Sequence, residues 1–299
     1  MNILISGSTG LVGTALCATL ASEGHRVIRL VRGRSEIGPN AVAWDPVTGQ
    51  IDTEKFGDIN AVIHLAGEGV GNGRWTAAKK RRILESRRLG TRLLAEMTAQ
   101  MNPRPAAFLS ASAIGRYGSC GDEILTEKSA SGSDFLADVC AEWESATQPA
   151  SDAGIRVALL RIGVVLSPDG GALGKMLFPF KLGLGGPIGG GRQWMSWIGL
   201  DDTVGAICHA LTETRVKGAV NLVAPNPVTN REFAQALGRA LGRPAILPIP
   251  GFIIGLIFGE MGIATALSSA RVSPEVLEQT GYQFLYPRLD EALAELLRK

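Results

Sequence analysis

Residues 7–13 read Gly-Ser-Thr-Gly-Leu-Val-Gly, directly after the apolar run Ile3, Leu4 and Ile5 and before an amphipathic stretch at 11–21. Glycine lets a backbone turn tightly and come close to a ligand. The free amides and dipole at a helix start attract negative charge. Gly7, Ser8, Thr9, Gly10, Leu11, Val12 and Gly13 are therefore expected to hold the diphosphate of a dinucleotide. Arg32 stands at the end of the next strand, where a chain that binds NAD offers an acidic side chain to the ribose hydroxyls. A guanidinium cannot accept those hydrogen bonds, but it pairs with the extra 2′-phosphate of NADP(H). NADP(H) is thus the expected cofactor, with Arg34 as an assistant; a solvated surface role for both arginines is the alternative.

Further on, Ser112 closes Ser110-Ala-Ser112, and Tyr117 lies in Ile114-Gly-Arg-Tyr-Gly118. Both could donate a hydrogen bond to a substrate oxygen, or simply satisfy nearby backbone groups. Arg192, Gln193, Trp194 and Trp197 follow a glycine-dense segment, and aromatic rings beside an arginine suit a flat or anionic ligand. The two tryptophans could equally anchor one region to another. The basic run 79–82 spreads around a helical turn without interleaved aromatics, which reads as a solvated helix face and not a nucleic-acid surface. The three histidines and four cysteines lack metal-ligand or redox spacing, so no metal site is expected. His64 reads as a packed core residue, and Asp202 as the cap of a following helix.

These groups must be positioned by alternating elements. Strands are expected at 3–5, 26–31, 42–44, 61–65, 107–110 and 157–161, and helices at 11–21, 76–101 and 133–151. Apolar strands without alternation imply a parallel sheet covered on both faces, an α/β doubly wound Rossmann architecture. A smaller mixed substrate-side region follows it. The expected division is a dinucleotide-binding core at 1–165 and a substrate-side region at 166–299, with core elements returning near 200–225 and a helical C-terminal segment at about 248–296. Regular structure should be thinner at 167–191. The remaining helices are expected at 202–212, 229–241, 252–259, 274–280 and 289–298, with a strand near Val220. The greasiest stretch, 252–258, is too short to span a bilayer and reads as a buried helix.

The 299 residues are 45% hydrophobic and 19% charged, with a formal net charge of +2. Such a chain can bury a large core, and it carries no global attraction for nucleic acid. The glycine loop begins so early that no signal peptide fits before it, and the isolated cysteines suit a reducing, cytoplasmic setting.

With the glycine loop, His64-Leu-Ala-Gly-Glu68 and Ser110-Ala-Ser112, the chain resembles the extended short-chain dehydrogenases/reductases. Arg74-Trp75-Thr76, Glu85-Ser-Arg87, Trp143-Glu144, the run 183–189, Gly191-Arg-Gln-Trp, Asp201-Asp202, Arg271-Val-Ser-Pro274 and Gly281-Tyr-Gln-Phe284 narrow this further. Together they are similar to an atypical epimerase-like family of bacteria, plastids and animals with a C-terminal domain of unknown function. The resemblance implies that Leu65 and Ala66 line the nucleotide cleft, that Arg87 reaches the cofactor from the long helix, and that Val164 lies near the nicotinamide. Ordinary members use a tyrosine and a lysine one helical turn apart as their acid–base pair. Here the residues four beyond Tyr117, Tyr282 and Tyr286 are Gly121, Tyr286 and Asp290, so that pair is missing. In the helix that should carry it, the registers Asp134 with Asp138 and Leu136 with Cys140 both fail to supply it.

Two functions compete. One is an NADP(H)-dependent, epimerase-like oxidoreductase acting on a small carbonyl or hydroxyl compound. The other is a catalytically quiet NADP(H)-binding protein that controls a partner, in cell division according to the labels of some relatives. Ordinary nucleotide-sugar epimerisation is weakened by the missing pair. A homodimer is the expected self-association.

Overall fold

The computed structural model describes residues 1–33, 40–53 and 56–298. The apolar runs form β1 (Asn2–Ser6), β2 (Arg26–Val31), β3 (Ala41–Asp45), β5 (Ala61–His64), β6 (Ala107–Ala113) and β8 (Arg156–Ile162). The short β4 (Gln50–Ile51) and the later β12 (Gly218–Leu222) complete an eight-stranded sheet in the order β12-β8-β6-β5-β1-β2-β3-β4. All neighbours run parallel except β4, which folds back on β3. The chain leaves β1 towards β2 on one side and returns to β5 on the other. That reversal opens a crevice beyond the carboxyl ends of β1 and β5, the usual ligand position in such sheets.

Helices cover both faces. On one, α1 (Leu11–Ser22) and α6 (Leu200–Thr212) bury Leu16, Leu20, Val204 and Ile207 against the sheet. On the other lie α2 (Ala77–Gln100), α3 (Phe135–Ser145) and α4 (Gln148–Asp152), with Leu94, Ala95 and Ala150 in the core. Thr76 caps α2 by accepting from the Lys79 amide at 3.2 Å. The single helix expected at 133–151 is two. Asp134 caps α3, accepting from the Ala137 amide at 2.9 Å. Pro149 sits in the first turn of α4, where a missing N–H costs nothing, whereas continuing from α3 would have needed that donor.

Regular structure also persists where glycine made it look thin. After β9 (Val164–Ser167), α5 (Gly171–Lys181) buries Leu173, Leu177 and Phe180 in a second core. That core is shared with α7 (Asn230–Leu241) and α11 (Leu289–Leu296). Short strands frame this region: β10 (Trp194–Met195) pairs with β13 (Val228–Thr229), β11 (Trp197–Gly199) with β9, and β14 (Arg271–Val272) with β7 (Ile124–Leu125).

Two sequence expectations are corrected here. The greasy stretch forms α8 (Gly251–Phe258), followed by α9 (Glu260–Ala266), but it is not buried within this chain. Phe252 and Leu256 are 74% and 70% exposed, and Ile254 alone in α8 is buried, because the helix is apolar around its whole circumference while only one side of it meets the rest of the chain. Asp202 is not a helix cap either. Gly199 precedes α6, and the fully buried Asp202 carboxylate accepts from the amides of Leu285 and Tyr286 at 2.8 and 3.0 Å and from the Tyr282 hydroxyl at 3.0 Å. It thereby ties the segment after α10 (Glu275–Gln279) to the sheet domain.

Asp202→Ala would strand two backbone donors, each costing about 1–3 kcal/mol when left unpaired, while the Tyr282 hydroxyl keeps the Asp202 carbonyl at 3.0 Å. We expect a loss of roughly 3 kcal/mol in urea denaturation, with hydrogen exchange at Leu285 and Tyr286 accelerated before that of β1.

Candidate functional site

The chain leaves β1 through Gly7 at φ 75°, a left-handed conformation that costs other residues energy. Gly10 N donates to Gly7 O at 3.1 Å, and the first bond of α1 runs from Thr14 N to Gly10 O at 2.8 Å. The amides of Leu11, Val12 and Gly13 therefore have no partner within the helix, and Gly10 supplies no side-chain cap. A Cβ on Gly13 would lie 2.1 Å from Gly7 O, and one on Gly7 2.7 Å from Ala66 N. Glycine is what lets the loop, the start of α1 and the end of β5 close on one another. Ser8 is 5% exposed, and its hydroxyl has no hydrogen-bond partner among the described residues.

Around this cradle opens a cleft of about 610 Å³ lined by Gly7, Ser8, Thr9, Gly10, Leu65 and Ala66, with Arg32, Trp44 and Pro46 at its far end. The structure thus brings most of the expected dinucleotide residues onto one cavity, with Leu11, Val12 and Gly13 in the helical turn behind the loop. Arg32 is exposed on the rim, and Arg34 lies outside the described residues.

Arg87 sits one layer behind. Its guanidinium, 9% exposed, donates to the carbonyls of Glu68 and Ile83 at 2.9 and 3.0 Å and stacks 4.7 Å over the Trp143 ring. A Cβ on Gly67 would meet it at 3.1 Å, so Arg87 braces the 66–68 loop from below. In front, the Lys79 ammonium bonds the Glu68 carboxylate and, with burial opposing, holds it below the usual carboxylate range. The basic run is therefore not a uniformly solvated face: Lys79 is buried on Glu68, and Lys80 pairs with Glu260. His64 bonds the Ser6 hydroxyl inside the sheet, where burial, reinforced by the Arg87 charge, depresses its pKa to about 3.

At the carboxyl ends of β6 and β8 the arrangement differs from the sequence expectation. Ser112 Oγ donates to Glu144 Oε1 at 2.8 Å. Glu144 also receives a fork from Arg161, Nε to Oε1 at 2.8 Å and Nη2 to Oε2 at 2.9 Å. Arg161 Nη1 donates to the Tyr117 hydroxyl at 2.9 Å, and that hydroxyl donates to Asn221 Oδ1 at 2.7 Å. Tyr117 is fully buried, and burial raises its proton affinity above that of an ordinary phenol even with Arg161 beside it. Its proton is therefore committed inside the protein, which removes the phenolic donor expected from 114–118. For Arg161, burial works against the charge, but Glu144 and Tyr117 more than restore it. Cys140, in the register where a lysine is missing, is pushed by burial up to about 11 and is no base.

Beside this network lies a chamber of about 340 Å³ with Val164, Ile162, Leu136, Met176, Trp194 and Met195 in its wall. No titratable side chain lines it among the described residues. Of the four residues expected to grip a ligand, Arg192, Gln193 and Trp197 do not line it and Trp194 does. Trp197 is fully buried in the second core, its Nε1 bonded to Asn226 O at 3.1 Å, so it anchors and does not grip. Gln193 Nε2 bridges the carbonyls of Ile188 and Ala266 at 3.1 and 3.0 Å, and Arg192 is exposed to solvent. Trp194 takes the wall position instead, with Arg271 4.3 Å over its ring and Asp122 on its Nε1 at 2.7 Å. Sequence reasoning gave no role to Glu144, Arg161 or Asn221. The available signal was an arginine closing an otherwise apolar strand, which needs a buried counter-charge.

Among the described residues no cluster of three or more His, Cys, Asp or Glu could hold a metal ion, and no helix is long and apolar enough to cross a membrane.

Residues 3–222 match the family model of the NAD dependent epimerase/dehydratase family, and residues 249–296 match a domain of unknown function, DUF1731. An epimerase family protein of Mycobacterium bovis is 41% identical over 291 residues, covering 97% of this chain and 96% of that one. The crystal structure of the human epimerase family protein SDR39U1 with NADPH superposes with a TM-score of 0.91 at 37% identity, covering 99% of both chains. A structure described as the nucleoside-diphosphate sugar epimerase from Corynebacterium glutamicum is 40% identical with a TM-score of 0.81, matching 98% of this chain but 57% of that one.

Removing Glu144 leaves Arg161 buried without its counter-charge. Glu144→Ala should destabilise by about 3–5 kcal/mol, and Glu144→Leu with Arg161→Met should recover much of that loss in chemical denaturation. His64 binds a proton less readily in the folded state than in the unfolded chain. Its contribution to stability is therefore complete above pH about 6.5 and is lost as pH falls towards about 3. By NMR its ring should remain neutral in the folded protein at pH 5, where an exposed imidazole is protonated.

Proposed function

The chain belongs to the NAD dependent epimerase/dehydratase family, and from that premise we propose that it binds NADP(H) and acts as an epimerase-like oxidoreductase on a small carbonyl or hydroxyl compound. The observation that carries the reading is the cradle at 7–13. Its helix-opening amides and the unpartnered Ser8 hydroxyl, buried on a cleft of about 610 Å³, fit the oxygens of a diphosphate. Arg32 on the rim suits the 2′-phosphate, and NADPH is named with the human relative's structure. When bound, the nicotinamide supplies reversible hydride transfer.

The chain's own contribution follows from the residues around the two cavities. Leu65 and Ala66 give the nucleotide an apolar wall, Arg87 holds the loop that carries them, and Val164 lines the chamber in which a small substrate would meet the cofactor. Ser112 is 2% exposed and lines neither cavity, so a role for its hydroxyl in turnover requires it to break its bond to Glu144. A second reading, occupancy of NADP(H) without turnover, is favoured by the lack of any titratable group in the chamber lining.

NADPH should bind at least about tenfold more tightly than NADH, the worth of one charge-assisted pair. Arg32→Ala should erase most of that gap in a fluorescence titration; equal affinities in the unaltered protein would refute the assignment. A screen of aldehydes and ketones followed by NADPH absorbance separates the two readings. With turnover, Ser112→Ala should lower the rate at least about tenfold without weakening NADPH; tight NADPH binding with no turnover in any carbonyl class selects the quiet protein.

A further inference from the structure

The chamber beside Val164 shares part of its wall with a second cavity. Leu136, Ala264 and Ser268 line both, and the second, of about 570 Å³, is bordered by Trp75 and Phe135 on one side and by α8 and α9 on the other. Both volumes are typical of small-molecule sites. Among the described residues, neither lining contains a lysine or an arginine. The charged side chains in the outer cavity are carboxylates, Asp134 and Glu260. The cations at its edge are already engaged: Lys80, 4.8 Å over the Phe135 ring, pairs with Glu260, and Arg74 donates to the carbonyls of Leu256 and Ile257.

Most of the polar side chains in the inner chamber are also committed. Ser196 Oγ donates to Ala270 O and accepts from Val272 N, at 2.7 and 2.8 Å. Asn230 Oδ1 accepts from Ile188 N at 2.7 Å, and Thr265 Oγ1 donates to Met261 O at 2.7 Å. The hydroxyl of Ser268, on the wall common to both cavities, has no partner among the described residues. A nucleoside diphosphate placed here would exchange water for apolar walls and two carboxylates. Burying its charge would not be compensated.

We propose that the two cavities form one channel for a neutral, elongated, mostly apolar ketone, aldehyde or alcohol, with its oxygen on Ser268 and its hydrocarbon tail running outward between Phe135 and Ile263. Nucleoside-diphosphate sugars are not its ligands. The proposal rests on the cofactor reading above and names the substrate class for it. Apolar burial supplies the affinity, and the single hydroxyl fixes the orientation.

The test uses the full chain saturated with NADPH, titrated calorimetrically with 2-butanone, 2-hexanone, 2-decanone and UDP-glucose. Ketone affinity should rise by about fourfold for each added CH₂, and UDP-glucose should give no binding heat. Leu136→Trp narrows the passage and should abolish the advantage of 2-decanone over 2-hexanone. Ser268→Ala should weaken all three ketones by a common factor of roughly five. NADPH affinity, measured on each variant, reports whether it is folded. Ketone affinity that does not rise with chain length, or sub-millimolar binding of UDP-glucose, overturns the channel while leaving the cofactor assignment standing. Failure of NADPH itself to bind the unaltered protein overturns both.

Discussion

The approach of Gly13 to the carbonyl of Gly7 is the contact on which everything else rests. With no side chain between them, the first turn of α1 comes down onto the loop after β1, and a Cβ would sit 2.1 Å from that oxygen. This closeness sets the helix-opening amides of Leu11, Val12 and Gly13 directly behind the loop that carries the Ser8 hydroxyl, at the crevice where the sheet order reverses. Partial positive charge is thus built from backbone alone. Arg32 adds a positive charge at the rim, where the 2′-phosphate would lie.

The other half of the crevice is organised by a different constraint, the need to neutralise Arg161 at the end of β8. Glu144 on α3 answers it with two short bonds, and Ser112, Tyr117 and Asn221 are drawn into the same network. Asn221 then donates to Ser273 O, and Glu127 accepts from the amides of Asn221 and Val276, at 2.9, 3.0 and 3.3 Å. The ends of three strands, α3 and the C-terminal segment are thereby locked together. A buried pair of this kind contributes little net stability, but it fixes geometry because breaking either partner is expensive. It also consumes the hydroxyls that sequence inspection nominates for catalysis.

That difference explains what the sequence made legible. Backbone-determined features were readable: the strands of the sheet from their apolar runs, α2 from Thr76 to the Asn102-Pro103 stop, and the cradle from its glycine spacing. Side-chain partnerships were not, because they join residues far apart in the chain. Asp202 preceded a helix and so looked like a cap, yet its partners lie more than eighty residues on. Trp197 and Gln193 looked like ligand contacts because they follow glycines, whereas the second core and the carbonyls of Ile188 and Ala266 claim them. For α8, composition registered hydrophobicity but not the direction each side chain faces, and most face outward.

The two halves of the crevice consequently impose opposite electrostatic conditions on whatever bridges them. On the nucleotide side, backbone dipoles and Arg32 receive negative charge. On the substrate side, an apolar chamber with no titratable lining penalises it. Reduction of a carbonyl leaves negative charge on oxygen until a proton arrives, and in such surroundings that charge is several times more costly than in water. The missing tyrosine and lysine are therefore not an isolated loss. Of the two candidate registers, one sets Leu136 on the chamber wall with Cys140 as a thiol that keeps its proton, and the other sets Asp134 on the outer cavity, so neither supplies the pair. Among the described residues, the lining of the chamber offers no titratable side chain that could trade a proton with a substrate. The Ser112 hydroxyl does not fill that gap, because it is buried on Glu144 and lies outside the chamber lining.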